Sequence, residues 1–368
     1  MITRAGCWMS AEIAAQIVSP QVDQRQVTFR LVAPLAREVK VTGIDGQPDL
    51  AMQRGANGLW QGTIGPLEPE IYSYSFLVDG TRLNDPSNRY VKKWLSLTSL
   101  FEITGGLIHE NWLVPHGDLH HHLYDSISTG VQRGVQVYTP PQYSTLTDEL
   151  PVVFLLHGYG DDETAWTEVG RASMILDNLI HQQRIPPVVL VMPNGHPTRL
   201  DIQRDFDQYA SENISNMEKD LLQDLLPFLD RRYRISKKPQ HRALAGLSMG
   251  GGQAIALGLK HLDQFSRIGS FSASAPHGNF ENIDLQMKMN AKDFESCNSV
   301  LNLFWIGCGK DDFLLDRNKH FVKWLRSRKI KHSFQLTDGG HDWTVWRRYF
   351  VDFMTAVFLK PESEDRPD

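Results

Sequence analysis

The residues best placed to do chemistry in this chain of 368 residues lie in Gly246-Leu247-Ser248-Met249-Gly250, a match to the nucleophile-elbow pattern G-x-S-x-G. A serine hydroxyl is a weak nucleophile, and this pattern helps it in two ways. It sets the serine on a sharp strand-to-helix turn, and it aims the helix's free N–H groups and positive end at the place where an oxyanion would form. The flanks agree with that geometry. Arg242-Ala243-Leu244-Ala245 is short and apolar like a buried strand, and Gln253-Ala254-Ile255-Ala256-Leu257-Gly258-Leu259 reads as a helix. A side chain at position 246 or 250 would crowd the turn, and both positions are glycine.

Activating Ser248 needs a base within hydrogen-bond reach and an acid that orients the base. In chains built around this elbow the order is Ser, then Asp or Glu, then His. After the apolar run Leu301 to Ile306 come Asp311 and Asp312, and either could sit at the carboxyl end of a strand. After His332-Ser333-Phe334-Gln335-Leu336 comes Thr337-Asp338-Gly339-Gly340-His341-Asp342-Trp343, where two glycines give the loop room to approach the elbow. His341 is the expected base; His320 and His332, read inside a helix and a strand, fit worse. The expected oxyanion donors are the backbone N–H of Met249 and one from His157-Gly158-Tyr159-Gly160. Tyr159 N–H is the first choice and Gly158 N–H the second.

The elements that must position these residues follow from periodicity. Val152-Val153-Phe154-Leu155-Leu156 and Val188-Val189-Leu190-Val191-Met192 are continuous apolar runs, as expected of strands buried on both faces. Met174, Ile175, Leu176, Leu179 and Ile180 fall at helical spacing, and Met217, Leu221, Leu222, Leu225, Phe228 and Leu229 mark a second amphipathic helix. Val135 and Val137, Ile268 to Ser272, Leu301 to Ile306 and His332 to Leu336 read as further strands. Phe321, Trp324 and Leu325 mark a helix, and residues 343–358 form the last one. Strands alternating with helices imply an α/β domain with a mainly parallel sheet covered on both faces.

Residues 20–104 follow a different period. Val27, Phe29 and Leu31 alternate with polar partners, as do Val39 and Val41; Trp60, Gly62 and Ile64 follow the Asn57-Gly58 turn. Tyr72, Tyr74, Phe76 and Val78 share a face of a strand ended by Asp79-Gly80. This reads as a small antiparallel sandwich. Trp60, Tyr72 and Tyr74 are expected in its core, and Tyr90 and Trp94 on its surface. The expected organisation is an extension 1–19, the all-β domain 20–104, a linker 105–119, the α/β domain 120–360 and a polar tail 361–368. His120-His121-His122 would alternate between the faces of a strand, which disfavours a shared metal ion. The substrate pocket is expected from loops 159–170, 195–216 and 275–299. Met287 and Met289 would either line it or serve packing.

Composition narrows the class. Apolar residues make up 41% and charged residues 22%, ordinary for a globular protein. The net charge of −5 offers no basic face for nucleic acid or anionic membrane. Three cysteines, Cys7, Cys297 and Cys308, do not make a disulfide framework, and Cys308 reads as a small buried hydrophobe. The stretch Met1 to Val18 does not read as a signal peptide. The expectation is a cytoplasmic protein, or an exported one whose native signal lies outside this sequence. Oligomeric state is not readable here.

The residues now on the page carry a resemblance. Leu156-His157-Gly158-Tyr159-Gly160, Trp166, Gly170-Arg171-Ala172, Asp177-Asn178-Leu179-Ile180 and Met192-Pro193-Asn194-Gly195 belong to it, with Lys219-Asp220-Leu221, Gly246 to Gly252, Cys308-Gly309-Lys310-Asp311-Asp312 and Gly339-Gly340-His341-Asp342-Trp343. Through these, the carboxyl-terminal two thirds resembles the carbohydrate esterases that include feruloyl and acetyl xylan esterases, with enterochelin esterases and esterase D as wider relatives. The amino-terminal part is similar to early-set immunoglobulin-like modules, related to glycogen-binding modules. Phe29-Arg30, Ala33-Pro34, Trp60, Gly65-Pro66-Leu67, Tyr72-Ser73-Tyr74, Val78-Asp79-Gly80 and Asp85-Pro86 carry that likeness. The resemblance implies an α/β-hydrolase fold behind an immunoglobulin-like sandwich, and a serine esterase without metal or cofactor. The family acid follows C-G-x-x-D, which falls on Asp312. Gly158, Trp166 and Trp343 are its candidate substrate contacts. The implied substrate is a small or polysaccharide-linked ester, foremost a feruloyl ester of plant cell wall. Acetyl xylan, short-acyl or siderophore esters are the alternatives, and a non-catalytic carbohydrate-binding protein is the rival from another class.

Overall fold

The computed structural model describes residues 17–201, 203–273 and 291–359. Met287 and Met289, Cys7 and the tail 361–368 lie outside the described residues. The chain divides into two compact units, Met1–Leu107 and Ile108–Asp368. Among the described residues no helix is long and apolar enough to cross a membrane.

The first unit is all-β and antiparallel. One sheet joins Gln21–Asp23, Gln26–Val32, Leu59–Ile64 and Gln53–Arg54, in that order. The other runs Leu50–Ala51, Val39–Thr42, Glu70–Val78, Leu97–Ile103 and Val91–Lys93, with Thr81–Leu83 returning on Glu70–Val78. Alternation works as the sequence suggests: Val27, Phe29 and Leu31 point into the core and their neighbours do not. Asp79 and Gly80 both have positive φ, 45° and 85°, the backbone of the tight hairpin that returns Thr81 to Val78. Trp60 and Tyr74 are buried, and Tyr72 stacks across the strand pair on Phe101 at 5.3 Å. Trp94 is exposed.

The second unit is an eight-stranded sheet. Its strands are β1 (Asp118–Ser126), β2 (Val131–Thr139), β3 (Val152–Leu156), β4 (Val189–Pro193), β5 (Arg242–Leu247), β6 (Arg267–Phe271), β7 (Leu303–Gly309) and β8 (Ser333–Thr337). The spatial order is β1-β2-β4-β3-β5-β6-β7-β8. β1 and β2 are antiparallel, β2 meets β4 antiparallel, and β3 to β8 are parallel. This is the α/β-hydrolase fold. The helices used below are α1 (Ala172–His181), α2 (Phe206–Lys219), α3 (Ser248–Lys260), α4 (Ala291–Val300), α5 (Leu315–Ser327) and α6 (Trp343–Phe358).

Parallel strands need helical crossovers, and these bury the sheet on both faces. On one face α2 and α3 pack Met217, Ala254 and Leu257 against Val152, Phe154, Val191 and Leu244. On the same side α4 and α5 place Cys297, Phe321 and Leu325 against Ile268, Phe304 and Ile306. On the other face α6 brings Tyr349 to 5.3 Å from Trp305 and Phe353 to 5.8 Å from Phe271, measured between ring centroids. Cys297 and Cys308 are free and buried.

One element departs from expectation. The helix read over Met217–Leu229 is α2 continued by a π-helical turn, Asp220–Leu225, and by Leu226–Asp230. The irregular turn holds a buried carboxylate that periodicity cannot see. Asp220 accepts hydrogen bonds from Tyr124 Oη at 2.7 Å and Arg133 Nε at 3.0 Å.

Candidate active site

β5 lies at the centre of the parallel sheet, and its last residue, Leu247, leads directly into α3. Ser248 between them has φ +50°, a left-handed conformation that a serine holds only when its surroundings impose it. The glycines permit the turn. A Cβ at position 246 would lie 2.5 Å from the carbonyl carbon of Gly250, and one at 250 would lie 2.5 Å from His157 O. Because α3 begins at Ser248, the N–H of Met249 is among the first four of the helix, which have no intrahelical acceptor.

Asp312 follows β7 and His341 follows β8, at the same end of the sheet as Ser248. The two loops interlock: Lys310 N–H donates to Thr337 O at 2.8 Å and Asp311 N–H to Gly339 O at 3.1 Å. Gly309 has no room for a side chain there, since its Cβ would lie 2.0 Å from Gly339 O. Asp342 caps α6 through Val345 N–H at 2.9 Å and accepts Gly340 N–H at 3.2 Å, which fixes the backbone on both sides of His341. The ring of His341 is edge-on to Trp346 at 4.9 Å and lies 4.5 Å from Phe313, whose own ring is largely exposed.

The structure brings three expected residues into one line. His341 Nε2 is 3.0 Å from Ser248 Oγ, and His341 Nδ1 is 3.0 and 3.1 Å from the two oxygens of Asp312. The Asp312 side chain is fully buried and also accepts Leu314 N–H at 2.8 Å. Burial acts to raise its pKa, but the hydrogen bond and charge of His341 and the Leu314 N–H outweigh it, so the carboxyl sits below the ordinary value. Asp311 is exposed and its carboxylate is not joined to His341. Of the alternatives, His320 lies in α5, while His332 lies just ahead of β8 rather than within it and bonds Ile330 O.

The loop after β3 lies against the elbow. A Cβ on Gly158 would lie 2.7 Å from Leu247 Cδ1, too close to fit without a shift, and 3.6 Å from Ser248 Cβ, so this backbone packs directly against the elbow. The Tyr159 ring packs edge-on against His196 and Tyr209 at 5.9 and 5.7 Å. Two histidines that sequence reasoning did not single out are built into this region. Burial, followed by the repulsion of His157 and Arg133, lowers His196 to about 3, and burial also lowers His157. Arg133 joins the buried Asp220 to the carbonyl of Asn194. The loops His157–Gly160 and Pro193–Gly195 were both visible as motifs, but nothing in their sequences says that they bond each other.

Trp166 and Trp343 do not offer a surface to substrate. They are 1% and 7% exposed, form an edge-to-face pair at 5.1 Å, and Trp166 Nε1 donates to Leu156 O at 3.0 Å. Their aromatic bodies are core for α6 and the end of β3. The three histidines of β1 have separate partners: His120 has Thr139, His121 has Glu163 and His122 has Tyr233. Among the described residues no group of three or more His, Cys, Asp or Glu side chains is gathered to hold an ion.

The Esterase family model matches residues 126–356, more than half of the chain. The chain belongs to the Esterase family. A curated relative, the endo-1,4-beta-xylanase/feruloyl esterase of Xylanibacter ruminicola, is 28% identical over 340 residues, covering 90% of this chain. The chain spans 44% of that relative's length. Among solved structures, a ferulic acid esterase matches with a TM-score of 0.56 at 25% identity, covering 66% of this chain and 98% of its own. The enterobactin esterase of Shigella flexneri matches in fold with a TM-score of 0.64 at 20% identity, covering 90% of this chain and 93% of its own.

Proposed function

We propose that this chain is a serine carboxylic-ester hydrolase acting through an acyl-enzyme, with hydroxycinnamoyl esters of the feruloyl type as its substrates. The observation that carries the reading is the unbroken line Ser248 Oγ, His341 Nε2, His341 Nδ1, Asp312, with each step at 3.0–3.1 Å. An ionised Asp312 accepts a hydrogen bond from His341 Nδ1–H, which holds the proton on Nδ1 and leaves Nε2 free to accept from Ser248. Ser248 Oγ attacks the ester carbonyl as its proton passes to His341. The developing oxyanion is held by the N–H groups of Met249 and Tyr159, the first at the positive end of α3. His341 returns the proton to the departing alcohol. Water then attacks the acyl-enzyme with His341 again as base, releasing the acid and Ser248.

The acyl preference rests on two supports. Two of the relatives above are named for feruloyl or ferulic acid ester cleavage. In addition, Phe313 presents an exposed ring beside His341, where an aromatic part of an ester could stack.

Ser248→Ala should lower kcat on methyl ferulate by about 10⁶-fold, the scale at which a catalytic serine is missed. A variant with wild-type turnover would rule out Ser248 as nucleophile. A kcat/KM panel over methyl ferulate, naphthyl acetate, acetylated xylan and a catecholate siderophore ester decides the acyl group. Methyl ferulate ranking below naphthyl acetate would overturn the feruloyl assignment and leave the esterase standing.

A further inference from the structure

A peptide N–H can be aimed only by turning its whole peptide plane. The N–H of Tyr159 shares its plane with the C=O of Gly158, and across a trans bond the two point in opposite directions. Whatever holds the Gly158 carbonyl therefore holds the Tyr159 N–H. That carbonyl accepts from His157 Nδ1 at 2.8 Å and from Asp161 N–H at 3.3 Å. His157 is 1% exposed, and its other nitrogen, Nε2, accepts Gly195 N–H at 2.7 Å. A ring nitrogen that accepts carries no proton, so the one proton of the neutral ring sits on Nδ1, facing Gly158 O.

The second ring secures the far side of the same loop. Gly160 N–H donates to His196 Nε2 at 3.1 Å, and His196 Nδ1 pairs with Tyr209 Oη. The anchor under His157 is itself held, since Gly195 O accepts Asn213 Nδ2 and Gln253 Nε2, both at 2.9 Å. The peptides on either side of Tyr159 are thus each tied to one imidazole.

We propose that His157, fixed as its Nδ1–H tautomer by Gly195 N–H, is a positioning residue that sets the direction of the Tyr159 oxyanion donor. This rests on the reading of Ser248 as nucleophile and of Tyr159 N–H as the second donor. His157 touches no reacting atom; it acts through the plane of one peptide.

Two variants of similar size separate its two bonds. His157→Asn can place an N–H near the Nδ1 position, toward Gly158 O, whereas His157→Gln can place its amide near Nε2, toward Gly195, and leaves Gly158 O without that donor. Each is assayed for kcat and KM on methyl ferulate and for the Ki of a boronic acid, whose tetrahedral adduct on Ser248 occupies the oxyanion position. We expect His157→Gln to lower kcat by about 10²-fold, the scale of one lost oxyanion donor, and to raise Ki by a similar factor. KM should stay within about threefold, because ground-state binding does not use the donor. His157→Asn should recover at least about tenfold of both losses. Wild-type kcat and Ki in His157→Gln, or equal losses in the two variants, would overturn the positioning role. Ser248→Ala in the same assay keeps the cases apart. If it retains turnover, the nucleophile reading fails; if it is dead while the His157 variants are indifferent, only the positioning role fails.

Discussion

Replacing Asp312 by Asn changes the orienting acid by one atom, and the structure allows its effect to be worked out. The Asp312 oxygens lie 3.0 and 3.1 Å from His341 Nδ1, and Oδ1 also accepts Leu314 N–H at 2.8 Å. That N–H pins the amide oxygen of an Asn at Oδ1 and turns the NH₂ toward the imidazole. Two hydrogen donors then face each other, which drives the ring proton to Nε2, where it can no longer accept from Ser248. Loss of charge adds to this. A carboxylate about 4 Å from the imidazolium centre stabilises it by about 4 kcal/mol at an effective dielectric of about 20. That alone corresponds to about 10³-fold in rate, and the wrong tautomer takes the expected loss to about 10⁴-fold in kcat. The assay is kcat and kcat/KM on methyl ferulate for Asp312→Asn beside Asp311→Asn, whose exposed side chain predicts a change of under about twofold. A loss of less than tenfold in Asp312→Asn, or equal losses in the pair, would refute the reasoning.

The same variant carries a pH signature. The folded-state pKa of Asp312 lies below its unfolded value, so its stabilising contribution is complete above about pH 4 and is lost as pH falls through the folded value. The gap in Tm between wild type and Asp312→Asn, read by thermal unfolding, should therefore stay constant above about pH 4 and narrow as the pH falls below it. Gly250→Ala puts a Cβ 2.5 Å from His157 O and 2.7 Å from Leu156 C. It should cost about 1–3 kcal/mol and lower kcat/KM, because the loop that must yield carries the second oxyanion donor; unchanged Tm and activity would count against the close approach. Trp166→Phe removes the hydrogen bond to Leu156 O from a buried site and should cost about 1–3 kcal/mol. KM for methyl ferulate should stay within about twofold, and a larger KM change at unchanged Tm would restore Trp166 as a substrate contact.

Local geometry was legible in the sequence. The elbow is a turn of five residues whose glycine spacing is dictated by backbone crowding, so Gly246, Ser248 and Gly250 announce it without any distant contact. The buried strands announce themselves too, because parallel strands covered on both faces must be apolar throughout. Chain order after the elbow pointed to His341. Other features depended on contacts that no sequence spacing encodes. Asp311 and Asp312 are adjacent and chemically identical, so strand order left both open and only the family resemblance favoured Asp312. The physical reason lies in the interlocked loops after β7 and β8, which turn Asp312 toward His341 and Asp311 to solvent. Trp166 and Trp343 were candidate substrate contacts in the sequence, and their burial against each other makes them core. The imidazoles of His157 and His196 acquire their roles from Gly195 and Tyr209, 38 and 13 residues along the chain. A nucleophile can be read from the turn that makes it, whereas the proton positions and peptide planes that serve it exist only once the distant loops meet.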